Sequence, residues 1–143
     1  MTDLSKTKGA NGSYDLIVIG AGSAGFSASI TASEAGKRVA LVGHGTIGGT
    51  CVNVGCVPSK AMIRAGEAIH GAQAAKRFAG LSGHAQVDDW QTLIQSKDDL
   101  VATMRQKKYA DLLPEYPGVD YIDAGPAQLV KGGVTVGGRT LTA

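Results

Sequence analysis

Cys51 and Cys56 are the only cysteines in the chain. They are separated by four residues in the uncharged stretch Gly48–Lys60, GGTCVNVGCVPSK, which runs directly into a helix-like pattern. Sulfur attacks, binds metal and trades electrons as the thiolate. A helix start stabilises that form through free backbone N–H groups and the positive end of the dipole. On an ideal helix, residues five apart rise about 7.5 Å along the axis and point to different faces. A disulfide needs Cα atoms within roughly 7 Å and β-carbons near 4 Å. The two sulfurs can therefore join only across a distorted turn, for which Gly55 supplies freedom and Pro58 a missing donor. Zinc binding and two inert buried thiols remain as other readings. The spacing does not suit a zinc knuckle, there is no second cysteine pair, and His44, His70 and His84 read as surface or loop residues.

Upstream lies Gly20-Ala21-Gly22-Ser23-Ala24-Gly25, a GxGxxG between the apolar run Tyr14–Ile19 and the helical pattern Ser23–Ala35. In such a fingerprint the first glycine makes the tight turn and the second lets backbone approach a pyrophosphate. The third packs helix on strand, and the helix N-terminus donates to phosphate. An acidic residue is expected at the end of the second strand to hold a ribose hydroxyl. Gly43 and His44 stand there instead, and no Asp or Glu occurs between Glu34 and Glu67. His44 or loop backbone is the expected substitute.

These residues need a scaffold. Tyr14–Ile19 and Val39–Val42 read as buried parallel strands flanking the helix Ser23–Ala35, which Gly36 closes, giving one right-handed βαβ unit. A helix is expected from about 51 to 77, distorted near Gly55 and Pro58. A second is expected from about 87 to 113, started by Asp88 and Asp89 and ended by Pro114 and Pro117. Its apolar stripe would be Trp90, Leu93, Ile94, Leu100, Val101 and Met104. Residues 119–124 read as a third sheet strand, and 127–130, 134–136 and 140–141 as a small β-meander. The fold class is α/β, a Rossmann-like parallel sheet plus meander.

The chain's 143 residues leave room for one domain with a proper core. Its 21 glycines are roughly twice average usage and mark loops with special backbone demands. A net charge of +2, with no basic block interleaved with aromatics, argues against a nucleic-acid partner. Residues 1–13 are polar and turn-rich, read as a flexible N-terminus without a secretory h-region. The apolar run 16–30 is too short and interrupted to span a bilayer, so no membrane association and a cytoplasmic location are expected. In that compartment two close cysteines are more readily catalytic or metal-binding than structural.

GGTCVNVGCVPSK together with GAGSAG resembles the FAD-containing pyridine nucleotide–disulfide oxidoreductases, and the resemblance covers residues 14–143. Gly45-Thr46-Ile47 and Lys108–Leu113 look most like the mercuric reductase branch. Glutathione reductases typically have lysine at the position of Ser59, and lipoamide dehydrogenases favour Leu and Ile at Val52 and Val57. The resemblance implies a catalytic redox pair, with Cys56 against the flavin and Cys51 facing the substrate, both also ligands for Hg(II). It implies FAD contacts from Gly20, Gly22, Gly25, Gly45 and Thr50, Lys60 near the reactive flavin nitrogen, and backbone of Ala127 at the adenine. The implied reaction takes electrons from NADPH through FAD to reduce Hg(II) to Hg(0), or a disulfide substrate in other branches. A full-length member would be a homodimer. Residues 14–143 are then the N-terminal part of an FAD-binding domain, without the NADPH and dimerisation domains, and inactive on their own. The alternatives are another disulfide reductase, of the lipoamide dehydrogenase or glutathione reductase type, and an inactive flavin- or metal-binding fragment. The strand 16–19, central in that family's sheet, would leave an apolar edge here, so poor solubility or self-association is expected.

Overall fold

The computed structural model describes residues 13–143; of the expected flexible N-terminus only Ser13 is among them. The chain divides into two compact units, one ending at Gly49 and resuming at Arg105, the other comprising Thr50–Met104.

The first unit is built on a parallel sheet of β1 (Leu16–Ile19), β2 (Val39–Gly43) and β3 (Val119–Asp123), in the order β1-β2-β3. Val39, Ala40, Leu41 and Val42 form an unbroken apolar run, which suits a strand covered on both faces. They are buried accordingly, at 0–2% exposure. The register sets Leu41 beside Tyr121 and Gly43 beside Asp123. Helix α1 (Ser23–Glu34) crosses from β1 to β2 and is closed by Gly36 at φ 76°. Its Phe26 meets the Tyr109 ring edge-on at 5.0 Å, and the Ser23 and Tyr109 hydroxyls lie 2.8 Å apart.

After β3 comes the antiparallel meander of β4 (Gln128–Val130), β5 (Gly133–Val136) and β6 (Arg139–Leu141). Sheet and meander share one core. Tyr14, Ala40, Val42, Ile122, Val136 and Leu141 are buried together, with Ile17 and Ala127 packed against them. The Tyr14 N–H donates to the Thr142 carbonyl at 2.9 Å, and Ser13 bridges Thr142. Among the described residues β1 pairs on one side only, and Ile19 at its end is 53% exposed. The expected apolar edge is present.

In the second unit the helix expected over 51–77 is broken. Helix α2 (Gly49–Asn53) stops, Val54 and Gly55 intervene, and α3 (Cys56–Ala74) restarts before a 3-10 turn over Ala75–Arg77. Pro58 lies in the first turn of α3, where its missing donor costs nothing. Helix α4 spans Trp90–Lys108, shorter at both ends than expected. Asp89 caps it, accepting from the Gln91 and Thr92 N–H groups at 2.8 and 3.2 Å and from the Thr92 hydroxyl. Pro114 does not end this helix; it sits inside a separate 3-10 turn, Ala110–Glu115. Of the expected apolar stripe Val101 is buried and Leu93, Ile94 and Met104 are half-buried, whereas Trp90 and Leu100 are exposed.

Candidate active site

At the carboxyl ends of β1, β2 and β3 a cleft of about 250 Å3 opens, lined in part by Gly20, Gly22, His44, Thr46, Tyr121 and Ala127. The end of a parallel sheet is where α/β folds bind ligands. Gly20 leaves β1 at φ 110°, a conformation that costs other residues strain, and its N–H donates to the Val42 carbonyl at 2.7 Å. Gly22 begins α1 with no side chain capping the helix, so its first N–H groups remain available to an anion. A β-carbon on Gly22 would meet Gly49 Cα at 3.7 Å, which is ordinary contact. A β-carbon on Gly25 would collide with the Gly20 carbonyl oxygen and come 3.3 Å from Val18 Cγ1. Gly25 thus packs α1 onto β1 and lines no part of the cleft. The three glycines of the fingerprint do three different jobs.

Gly43 is explained by its neighbour. A β-carbon there would fall 2.5 Å from the Tyr121 hydroxyl oxygen and 2.7–2.9 Å from two ring carbons. Tyr121 fills the space a ribose-binding side chain at 43 would use. Burial, and then the nearby Asp123 charge, push its phenol pKa above the ordinary value, so it stays protonated at neutral pH. Tyr121 was missed in the sequence because it reads as one more strand residue. Its reach to Gly43 depends on a β2–β3 register spanning about eighty residues of chain. His44 lines the cleft as an exposed residue, Gly45 follows it in the loop at φ 82° without lining the cleft, and Ala127 lines it beside Gly125.

The thiols belong to the second unit with Thr50 and Lys60, all four residues exposed. The break between α2 and α3 provides the distortion that joining them requires. Gly55 permits it by close approach: a β-carbon there would sit 3.0 Å from the Thr50 carbonyl oxygen and 3.3 Å from Cys51 Cα. Both cysteines are free thiols, one on each side of the break. Hydrogen bonding with the Cys56 side chain raises the Cys51 pKa, desolvation adding to it, while the Cys56 backbone N–H and the Lys60 charge pull the other way. Lys60 follows Cys56 by four residues on α3, one turn along the same face. Among the described residues no group of three or more His, Cys, Asp or Glu could hold a metal ion.

The sequence matches the family model for pyridine nucleotide-disulphide oxidoreductases across residues 14–143. The chain belongs to that family. Among members of the family it is 48% identical to a mercuric reductase of Staphylococcus aureus over 132 residues, 92% of this chain and 24% of that protein. It is 52% identical to a mercuric reductase of Streptomyces lividans over 107 residues, 75% of this chain and 23% of that one. Of solved structures, the HOCl-induced flavoprotein disulfide reductase RclA from Escherichia coli matches 90% of the chain and 25% of its own length. The TM-score is 0.65 and the identity 31%. The chain spans about a quarter of the length of the curated relatives it matches.

Proposed function

We propose that this chain builds the FAD-binding part of a flavoprotein that reduces Hg(II) to Hg(0) with electrons from NADPH, using Cys51 and Cys56 as its redox pair. The observation that carries the reading is a pair of exposed thiols on the two sides of a helix break. It occurs in a chain about half identical to mercuric reductases.

The residues present suit a flavin dinucleotide. Helix α1 offers uncapped N–H groups, Gly22 leaves its flank open, and Gly20 and Ala127 bring backbone to the same cleft. Gly25 serves by fixing α1. Gly45, Thr50 and Lys60 are assigned cofactor contacts by resemblance. FAD, when bound, supplies the two-electron relay between a nicotinamide donor and the sulfurs. The chain's own part is to present the thiols. Two electrons with two protons open a Cys51–Cys56 disulfide to two thiols. Losing those protons, the sulfurs take Hg(II) as a pair of soft ligands. Two further electrons, from a second NADPH, turn Hg(II) into Hg(0) and free both sulfurs. Cys56 is assigned the flavin-facing position and Cys51 the substrate-facing one. No described helix is long and apolar enough to cross a membrane. The reading carries with it a cytoplasmic homodimer for the whole enzyme.

Equilibrium dialysis of the reduced chain with Hg(II), beside flavin retention, tests this. Expected are one Hg(II) per chain, lost in Cys51→Ser and in Cys56→Ser, and a yellow chain after purification with FAD. A colourless chain that still takes Hg(II) would indicate a bare metal trap. Hg(II) bound equally by both variants would remove the redox-pair assignment.

A further inference from the structure

The cleft carries a paired departure from its fingerprint. The second strand ends in glycine where a carboxylate is expected, and the third strand puts a phenol into the space thereby left open. Resting on the FAD reading of the cleft, we propose that Tyr121 supplies from β3 the ribose contact that a carboxylate ending β2 would otherwise make. Gly43 is then glycine because only glycine admits the ring.

The geometry is specific. The Tyr121 hydroxyl lies 2.5 Å from the ideal β-carbon position of residue 43, so a side chain there would displace the ring from its present place. The ring is set by strand pairing, with Tyr121 opposite Leu41, and is half-buried; His44 lies past the strand end and is exposed. A hydroxyl held by the sheet is the better-oriented partner for a sugar. It is also chemically different from a carboxylate. A neutral phenol donates one hydrogen bond and accepts others, whereas a carboxylate only accepts. The ribose is then held without a negative charge at the end of β2. Asp123, opposite Gly43 in register, supports the neutral form by disfavouring phenolate.

The experiment is equilibrium titration of the chain with FAD and with ADP, which carries the same ribose and pyrophosphate without a flavin. Tyr121→Phe is expected to weaken both about 5- to 10-fold, the worth of one neutral hydrogen bond. Gly43→Glu alone, forced against the ring, should weaken both further. Gly43→Glu combined with Tyr121→Ala should recover affinity to at least the starting value. A second readout needs no turnover: the Tyr121 phenol, isolated by ultraviolet difference against Tyr121→Phe, should titrate at higher pH with ADP present. Unchanged binding by Tyr121→Phe, or tighter binding by Gly43→Glu alone, would overturn the proposal and leave the FAD reading standing. A parent chain binding neither FAD nor ADP would overturn both.

Discussion

A methyl group added at Gly25 and another at Gly22 should have opposite consequences. At position 25 the new carbon overlaps the Gly20 carbonyl oxygen and crowds its carbon at 3.1 Å and Val18 Cγ1 at 3.3 Å. Two of those neighbours are backbone and cannot rotate away, so α1 must shift from β1 by more than about 1 Å to restore normal contact. Overpacking typically costs 1–3 kcal/mol, and rigid backbone places this case near the upper end, about 3 kcal/mol. That is roughly a hundredfold in the folding equilibrium and about 10 °C in melting temperature. At position 22 the added carbon finds Gly49 Cα at 3.7 Å and the Gly48 oxygen at 4.0 Å, and φ is −92°. The fold should lose only about 0.5 kcal/mol, the difference between Gly and Ala before a helix. The methyl narrows the cleft between Gly22 and Gly49, so FAD affinity should fall about tenfold or more. Thermal melts by circular dichroism and flavin titrations of Gly25→Ala and Gly22→Ala read both quantities. A Gly25→Ala chain melting within about 3 °C of the parent would refute the packing argument. Full flavin affinity in Gly22→Ala would refute the phosphate-approach role.

Cys51 has its pKa raised by hydrogen bonding to Cys56, so less of it is thiolate at neutral pH than in an ordinary thiol. Cys56→Ala should shift the alkylation–pH curve of Cys51 downward and speed its reaction at pH 7. Lys60→Gln should shift it slightly upward; two superimposed curves would refute the coupling. Asp89 has its pKa lowered by hydrogen bonds from the Thr92 side chain and the Thr92 and Gln91 N–H groups. Its contribution is therefore present above the unfolded carboxyl pKa and lost as pH falls through the folded one, below 3.8. Asp89→Asn should blunt the loss of helicity on acid titration. The Ser29 hydroxyl is buried at 1% exposure without a hydrogen-bond partner among the described residues, so Ser29→Ala should raise stability by about 1 kcal/mol in urea unfolding. The open edge of β1 should make the chain associate, seen as apparent mass rising with concentration on sizing chromatography. A single monomer peak at every concentration would contradict that.

What could be read in advance was what lies within one stretch of chain. The unbroken apolar run of β2, the glycine turn before Ser23, and Gly55 between the cysteines each carry their own local signal, and each is where it was expected. The ends of α4 were misplaced because Pro114 suits a 3-10 turn as well as a helix stop. The start was set by Asp89 alone rather than by Asp88 as well. Trp90 and Leu100 followed a helical period but lie exposed, since periodicity does not say whether a partner surface is present. Tyr121 needed the register of two strands whose sequences lie far apart. The thiol placement needed the angle at which α2 gives way to α3. Such facts belong to tertiary geometry, and no window of sequence contains them.

The shared core of sheet and meander sets an order of events during synthesis. Tyr14 is buried against Val136 and Leu141 and is tied through its N–H to Thr142. The residue that leads into β1 is thus covered by residues made much later in the chain. At about 5–20 residues per second, the ribosome leaves Tyr14 waiting roughly 6–25 s for those partners. Until then Tyr14, Ala40 and Val42 lack the Val136 and Leu141 side chains that bury them. A trigger-type chaperone that shields short aliphatic segments would find its client there, and slowing translation beyond Gly125 should lengthen its dwell time.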